Sequence, residues 1–263
     1  MSFMLLSEVA SEEAVTWLDD LSTAETDTRK RTLQAVRSHA EEHSERFDGL
    51  AGPLVTFLTD EERAIRLTTA KLFVTLARTK PSVVRPVVDA LADRLADDEE
   101  FYYVRARCAE ALGYVALDHP QAVSDPEILA DLRIGLSFDE PEVKEKLAKA
   151  LEYVALGDPD RFRHQVTSLA EHVDDENELV RYHLTTALVA VGCEHPPKLH
   201  EACDALQDRL DDENPYVRGR AAEALGFLVR VNDEIAVERD SIPPGEDDAA
   251  EFVASRAAFL QAG

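Results

Sequence analysis

Lysine is scarce in this 263-residue chain: of 28 basic residues only 7 are lysine and 21 are arginine. No apolar run approaches the roughly 18 residues that a membrane-spanning helix needs. The opening residues MSFMLLSEVASEE lack the basic-then-apolar order of an export signal, so the expectation is a soluble, cytoplasmic protein with no membrane partner. Three cysteines without regular spacing exclude a disulfide framework and agree with a reducing compartment. There is no glycine-rich phosphate loop, no nucleophile motif and no metal-binding histidine pair on one helical turn, so catalysis finds no support and no cofactor is expected.

What is abundant is acid. Fifty-three Asp and Glu give a formal charge of -25. Acidic excess with little lysine resembles the proteome of a salt-in halophile, such as a halophilic archaeon. In molar salt the Debye length falls to about 3 Å and such a charge scarcely repels itself. In dilute buffer it works against the compact state. An ordinary acidic protein with a solvated surface fits the same composition.

An apolar or small residue followed by a basic one recurs six times, at Thr28-Arg29, Ile65-Arg66, Val104-Arg105, Val143-Lys144, Val180-Arg181 and Val217-Arg218. The steps are 37, 39, 39, 37 and 37 residues. That period is the length of one helical hairpin in a stacked array. Counting the first residue of each pair as position zero, plus 5, plus 8 and plus 11 carry Ala70, Phe73 and Leu76 in the second copy and Ala109, Leu112 and Val115 in the third. At about 100° per residue these share one side of a helix, the second helix of each unit.

A first helix precedes each of these, with apolar or small residues at steps of four, three and four: Phe47, Ala51, Leu54, Leu58, and later Leu199, Cys203, Leu206, Leu210. Acidic turns such as Asp60-Glu61-Glu62 and Asp211-Asp212-Glu213-Asn214-Pro215 lie between the helices. There Asp and Asn accept from free N–H groups and negative charge complements the helix dipole. The turn holding Glu99, Glu100, Phe101 and Tyr102 carries a two-residue insertion. Pro81, Pro120, Pro159 and Pro196 end successive second helices.

Segments VRARCAEALGYVA and VRGRAAEALGFLV resemble HEAT repeats of the variety found in phycobilin lyases, and the resemblance covers roughly residues 24–231. It implies an all-α fold, an α-α superhelix or HEAT-like solenoid of about six hairpins with N- and C-terminal capping helices. It also implies that the second helices line a concave surface. Turn acids and the basic residue after position zero would form a hydrogen-bonded ladder between neighbouring repeats: Asp60 with Arg66, Asp98 with Arg105, Asp139 with Lys144, Asp175 with Arg181, Asp212 with Arg218. Lys144 cannot make the planar two-pronged contact of an arginine.

A second column offers binding chemistry. Position plus 3 holds Arg31, Thr68, Arg107, Lys146, His183 and Arg220, and plus 10 holds Ser38, Thr75, Tyr114, Tyr153, Ala190 and Phe227. Seven residues apart, the two positions differ by about 20° and fall at the edge of the exposed face. A row of cations beside rings is suited to an acidic peptide or a nucleic-acid backbone. The same residues also fit plain packing: Arg107 with Glu110 and Arg220 with Glu223 stand three apart, as helix-surface pairs do. Cys193, His195, His200 and Cys203 include zinc-compatible ligand types, but Cys203 and Cys108 both occupy core positions, so no metal is assigned.

The division expected is a repeat array with an N-terminal capping helix over residues 1–231, an acidic Pro/Gly linker over 232–248 and a C-terminal helix over 249–263 acting as a cap. The function expected is a non-catalytic scaffold or adaptor that holds a segment of another protein. The alternatives are a nucleic-acid binder using the plus 3 column, and an accessory factor for cofactor attachment, which rests on the resemblance alone.

Overall fold

The computed structural model describes residues 11–232, 237 and 242–263, and no strand occurs among them. In chain order the helices are α1 (Ser11–Ser22), α2 (Thr26–Glu42), α3 (Ala51–Val55), α4 (Arg63–Thr79), α5 (Pro81–Val84), α6 (Val88–Ala96), α7 (Tyr102–Asp118), α8 (Pro126–Ile134), α9 (Pro141–Gly157), α10 (Pro159–Phe162), α11 (Val166–Ala170), α12 (Glu178–Glu194), α13 (Cys203–Asp208), α14 (Pro215–Val229) and α15 (Ala249–Gln261). The fold class is all-α, a HEAT-like α-solenoid. The chain divides into two compact units, Met1–Leu132 and Arg133–Gly263.

In both units the long, regular elements are the second helices. α2, α4, α7, α9 and α12 each run 17 residues, and α14 runs 15. From α4 to α14 the plus 5, plus 8 and plus 11 residues are buried, from Ala70, Phe73 and Leu76 to Ala222, Leu225 and Leu228. Each large apolar side chain removed from water contributes about 2 kcal/mol, so this stripe drives the stacking. Four of these helices stop at Lys80, His119, Asp158 and His195, whose backbones leave the helical region. Each precedes a proline, whose ring disfavours the helical conformation in the residue before it.

First helices are broken into short α and 3₁₀ pieces. Gly49, with φ 78, separates the turn Ser44–Phe47 from α3. Elsewhere proline enters the run, as at Pro86 and Pro126. Between α12 and α13 the chain winds as a 3₁₀ helix over Pro196–Ala202. Three residues per turn rotate the stripe by one position. Ala202 is therefore buried while Cys203, expected in the core, is only half-buried.

Candidate functional site

The basic residue after position zero ties neighbouring repeats together within each unit, in a register one copy along from the expected pairs. Arg181 donates Nη1 to its own turn through the carbonyls of Asp175, at 2.8 Å, and Glu176, at 3.2 Å. Its Nε and Nη2 then reach the next copy's Asp212, at 2.7 and 2.9 Å. Burial weakens the Arg181 charge, but the Asp212 hydrogen bonds outweigh it and raise the guanidinium pKa. In the same way Arg29 pairs with Asp60 at 2.9 Å and Lys144 with Asp175 at 2.5 Å. The carboxylates of Asp60, Asp175 and Asp212 also accept the main-chain N–H two residues on, in Glu62, Asn177 and Asn214. Each therefore fixes its own turn and receives the preceding repeat's cation.

At the two-residue insertion Glu100 takes the aspartate's place. It binds Arg66 with both oxygens, at 2.7 and 3.0 Å, and its side chain is 1% exposed. Asp98 remains 3.2 Å from Arg105 but is 88% exposed. Arg105 also donates Nε to the Leu95 carbonyl at 2.7 Å. At the other end Arg218 finds main-chain oxygens: Nε donates to Pro243 at 3.0 Å and Nη2 to Pro244 at 2.8 Å.

Four of the five basic plus 3 residues are half-buried and already matched by acids. Arg107 lies 2.7 Å from Glu110, Lys146 2.8 Å from Glu145 and Arg220 2.8 Å from Glu223, while His183 Nδ1 meets Glu152 of the preceding second helix. Arg31 differs: it is exposed, and among the described residues its hydrogen bond runs from Nε to the Asp27 carbonyl at 3.1 Å. Of the ring residues, Tyr114, Tyr153 and Phe227 are half-buried; the Lys149 ammonium stands 5.4 Å from the Tyr153 ring and Phe227 packs on Phe259 at 5.2 Å.

In the second unit the helices also bring together aromatic residues that the repeat count did not single out. Tyr182 lies 6.4 Å from Tyr216, which lies 5.1 Å from Phe252 on α15. Arg256 stacks 3.6 Å over the Phe252 ring and pairs with Glu223 at 3.0 Å. Tyr216 is 40% exposed. The signal for these rings is faint, because Tyr182 and Tyr216 occupy different positions in their copies, Phe252 lies outside the six copies, and the three meet only when the helices pack.

Cys193, His195, His200 and Cys203 do not converge. His195 Nε2 instead lies 2.6 Å from Asp160. Among the described residues the set whose ligand atoms gather is Asp160, Glu194 and His195, all within 4.8 Å of one another. Asp160 is shared with Arg163 at 2.9 Å, and the close His195 ring, then the Arg163 guanidinium, holds its carboxyl below the usual range.

A family model for HEAT repeats matches residues 88–188 and again 166–239. The chain belongs to the HEAT-repeat family. Among solved structures similar to this HEAT-repeat chain is a designed armadillo repeat protein in complex with the peptide (KR)4, 20% identical, with 82% of this chain and 99% of that one covered and a TM-score of 0.71. Kap121p bound to Ste12p is another, 16% identical over 85% of this chain and 24% of that one, with a TM-score of 0.66. At such identity the likeness is one of fold. A comparison with curated proteins finds no match. Among the described residues no helix of these HEAT repeats is long and apolar enough to cross a membrane.

Proposed function

We propose that this HEAT-repeat chain is a non-catalytic scaffold, cytoplasmic, that holds a segment of a partner protein on the faces of its second helices. The observation that carries this reading is the set of half-exposed rings and paired charges on those faces: Arg107 and Tyr114 in the first unit; Lys146, Tyr153, His183, Arg220 and Phe227 in the second. Rings with charged groups beside them supply contact area at small entropic cost and fix orientation through hydrogen bonds. Two proteins of similar fold are described with a bound peptide or protein, (KR)4 and Ste12p. Pairing of the column's cations with glutamates favours a protein segment over a nucleic-acid backbone, which needs phosphate-neutralising charge.

In this reading residues 1–231 form the repeat array, 232–248 connect it, and 249–263 cap it. The acid-rich, lysine-poor composition is taken as adaptation to molar intracellular salt, and the repeat type as that of phycobilin lyases. Replacing Arg107, Lys146 and Arg220 together by Ser tests the scaffold. A partner recovered with the native chain should be lost from the variant while helix content, followed by circular dichroism, holds. Equal recovery by both proteins removes the reading.

A further inference from the structure

Positions zero, plus 4 and plus 7 are interior in the second helices α4, α7, α9, α12 and α14. Ile65, Val104, Val143, Val180 and Val217 are fully buried at position zero. So are Thr69, Cys108, Leu147, Leu184 and Ala221 at plus 4, and Leu72, Ala111, Ala150, Ala187 and Ala224 at plus 7. In α2 the same positions are Thr28, Thr32 and Ala35, of which the first is exposed and the others half-buried. Among the described residues no second helix precedes α2. α14 at the far end is covered by α15: Phe252 lies against Gly219, Phe259 against Gly226, and Arg256 on Glu223.

This face of α2 and the adjoining side of α1 form a cleft of about 430 Å³, walled by Trp17, Leu21, Thr28, Thr32 and Ala35. Among the described residues its charged members are Arg31 and Asp20. Arg31 stands at plus 3, where His183 of α12 takes a carboxylate, Glu152, from the helix before it. Arg31 has no carboxylate partner among the described residues.

We infer that this cleft is a docking site for an amphipathic helix of a partner protein, seated where a preceding second helix would lie and presenting a glutamate to Arg31. The small, uncharged wall of Thr28, Thr32 and Ala35 admits a helix backbone closely, and the half-buried Trp17 ring receives an apolar side chain. Asp20 sets the polarity: an acid on the partner is attracted at Arg31 and repelled at Asp20. The inference rests on the scaffold reading only in taking a protein as the ligand, and it uses a different face.

Trp17 is the single tryptophan of the chain, so its emission reports the cleft alone. The probe is a capped peptide of tandem Leu-Glu-Ala-Ala-Lys, a helix-favouring sequence with no net charge, set against its Gln-for-Glu counterpart. Titration at about 0.1 M salt, with a peptide of no net charge, keeps the contact at Arg31 readable while the field of the acidic chain is screened beyond about 10 Å. The Glu peptide should shift Trp17 emission, Arg31→Gln should weaken it about fivefold, and Asp20→Asn should tighten it. Both replacements lie at exposed side chains, and circular dichroism of each variant should match that of the native chain. No emission change, equal binding of the two peptides, or indifference to Arg31→Gln overturns the inference. So does self-association lost in Trp17→Ala, which would give the cleft to a second copy, or binding that emerges only after residues 1–10 are removed. Failure of the Arg107, Lys146 and Arg220 experiment with peptide binding intact leaves the cleft standing.

Discussion

Asp212 receives two nitrogens of Arg181, at 2.7 and 2.9 Å, and with the same carboxylate holds the N–H of Asn214 at 2.9 Å. Both side chains are largely buried, at 11% and 2% exposure. Removing one member of a buried charge pair leaves the other uncompensated, at a cost of about 3 kcal/mol. Asp212→Ala should lower the stability read from urea unfolding by that amount. Asp98→Ala, at a side chain 88% exposed, should change it by less than about 0.5 kcal/mol.

Lys144 makes a single contact, from Nζ to Asp175, where Arg181 makes two to its own partner. Lys144→Arg can supply a planar fork and should stabilise the second unit by about 0.5 kcal/mol, seen as a higher urea midpoint with an unchanged slope.

A methyl group at Gly226 would meet the Phe259 ring, whereas nothing lies within 4 Å of one at Gly52, inside α3. Gly226→Ala should therefore destabilise by about 1–2 kcal/mol through overpacking. Gly52→Ala should stabilise by about 0.5–1 kcal/mol through helix propensity. Thermal melts of the two variants should move in opposite directions.

Burial pushes the Cys108 thiol up from 9.0 to about 12. The unfolded thiol ionises first as the solution turns alkaline, so the folded state, which keeps its proton, loses ground with rising pH. Stability contributed below the unfolded value is lost between about pH 9 and the folded value, at up to about 1.4 kcal/mol per pH unit. Cys108→Ala removes this dependence. The gap between the two proteins' urea midpoints should narrow steadily above pH 9, and a constant gap would refute the assignment.

Charge of -25 on one chain is self-repulsive in dilute buffer. The melting temperature should rise steeply from low salt to molar KCl, as scanning calorimetry can follow. A melt indifferent to salt would place this chain among ordinary acidic proteins.

The second helices were legible because one stripe repeats without interruption from Ile65 to Leu228, and the stripe is what the interior selects. Continuity of the first helices was not, since a single positive φ at Gly49 or a 3₁₀ stretch before Cys203 breaks a helix without disturbing the apolar spacing. The ladder was readable in its residue types and misread in its register. Asp175 and Arg181 do meet, but through the aspartate's main-chain carbonyl, and the carboxylate serves Lys144 instead. No count of residues distinguishes a backbone acceptor from a side-chain one. Glu100 was hidden by the insertion: regular rungs join residues 31 apart, while Arg66 and Glu100 are 34 apart. Of the acids beside the plus 3 residues, Glu110 and Glu223 were visible three positions along the same helix, whereas Glu152 reaches His183 from the preceding second helix, a contact that no spacing within one helix announces.

Arg218, which closes the series on the carbonyls of Pro243 and Pro244, has a consequence of its own. Its earlier counterparts Arg29, Arg66, Lys144 and Arg181 each need a particular acidic side chain in the next copy, so one substitution there removes the contact. A main-chain oxygen is carried by whatever residue occupies the position. The tether that brings α15 home therefore answers to the path of the backbone rather than to the side chains at 243 and 244.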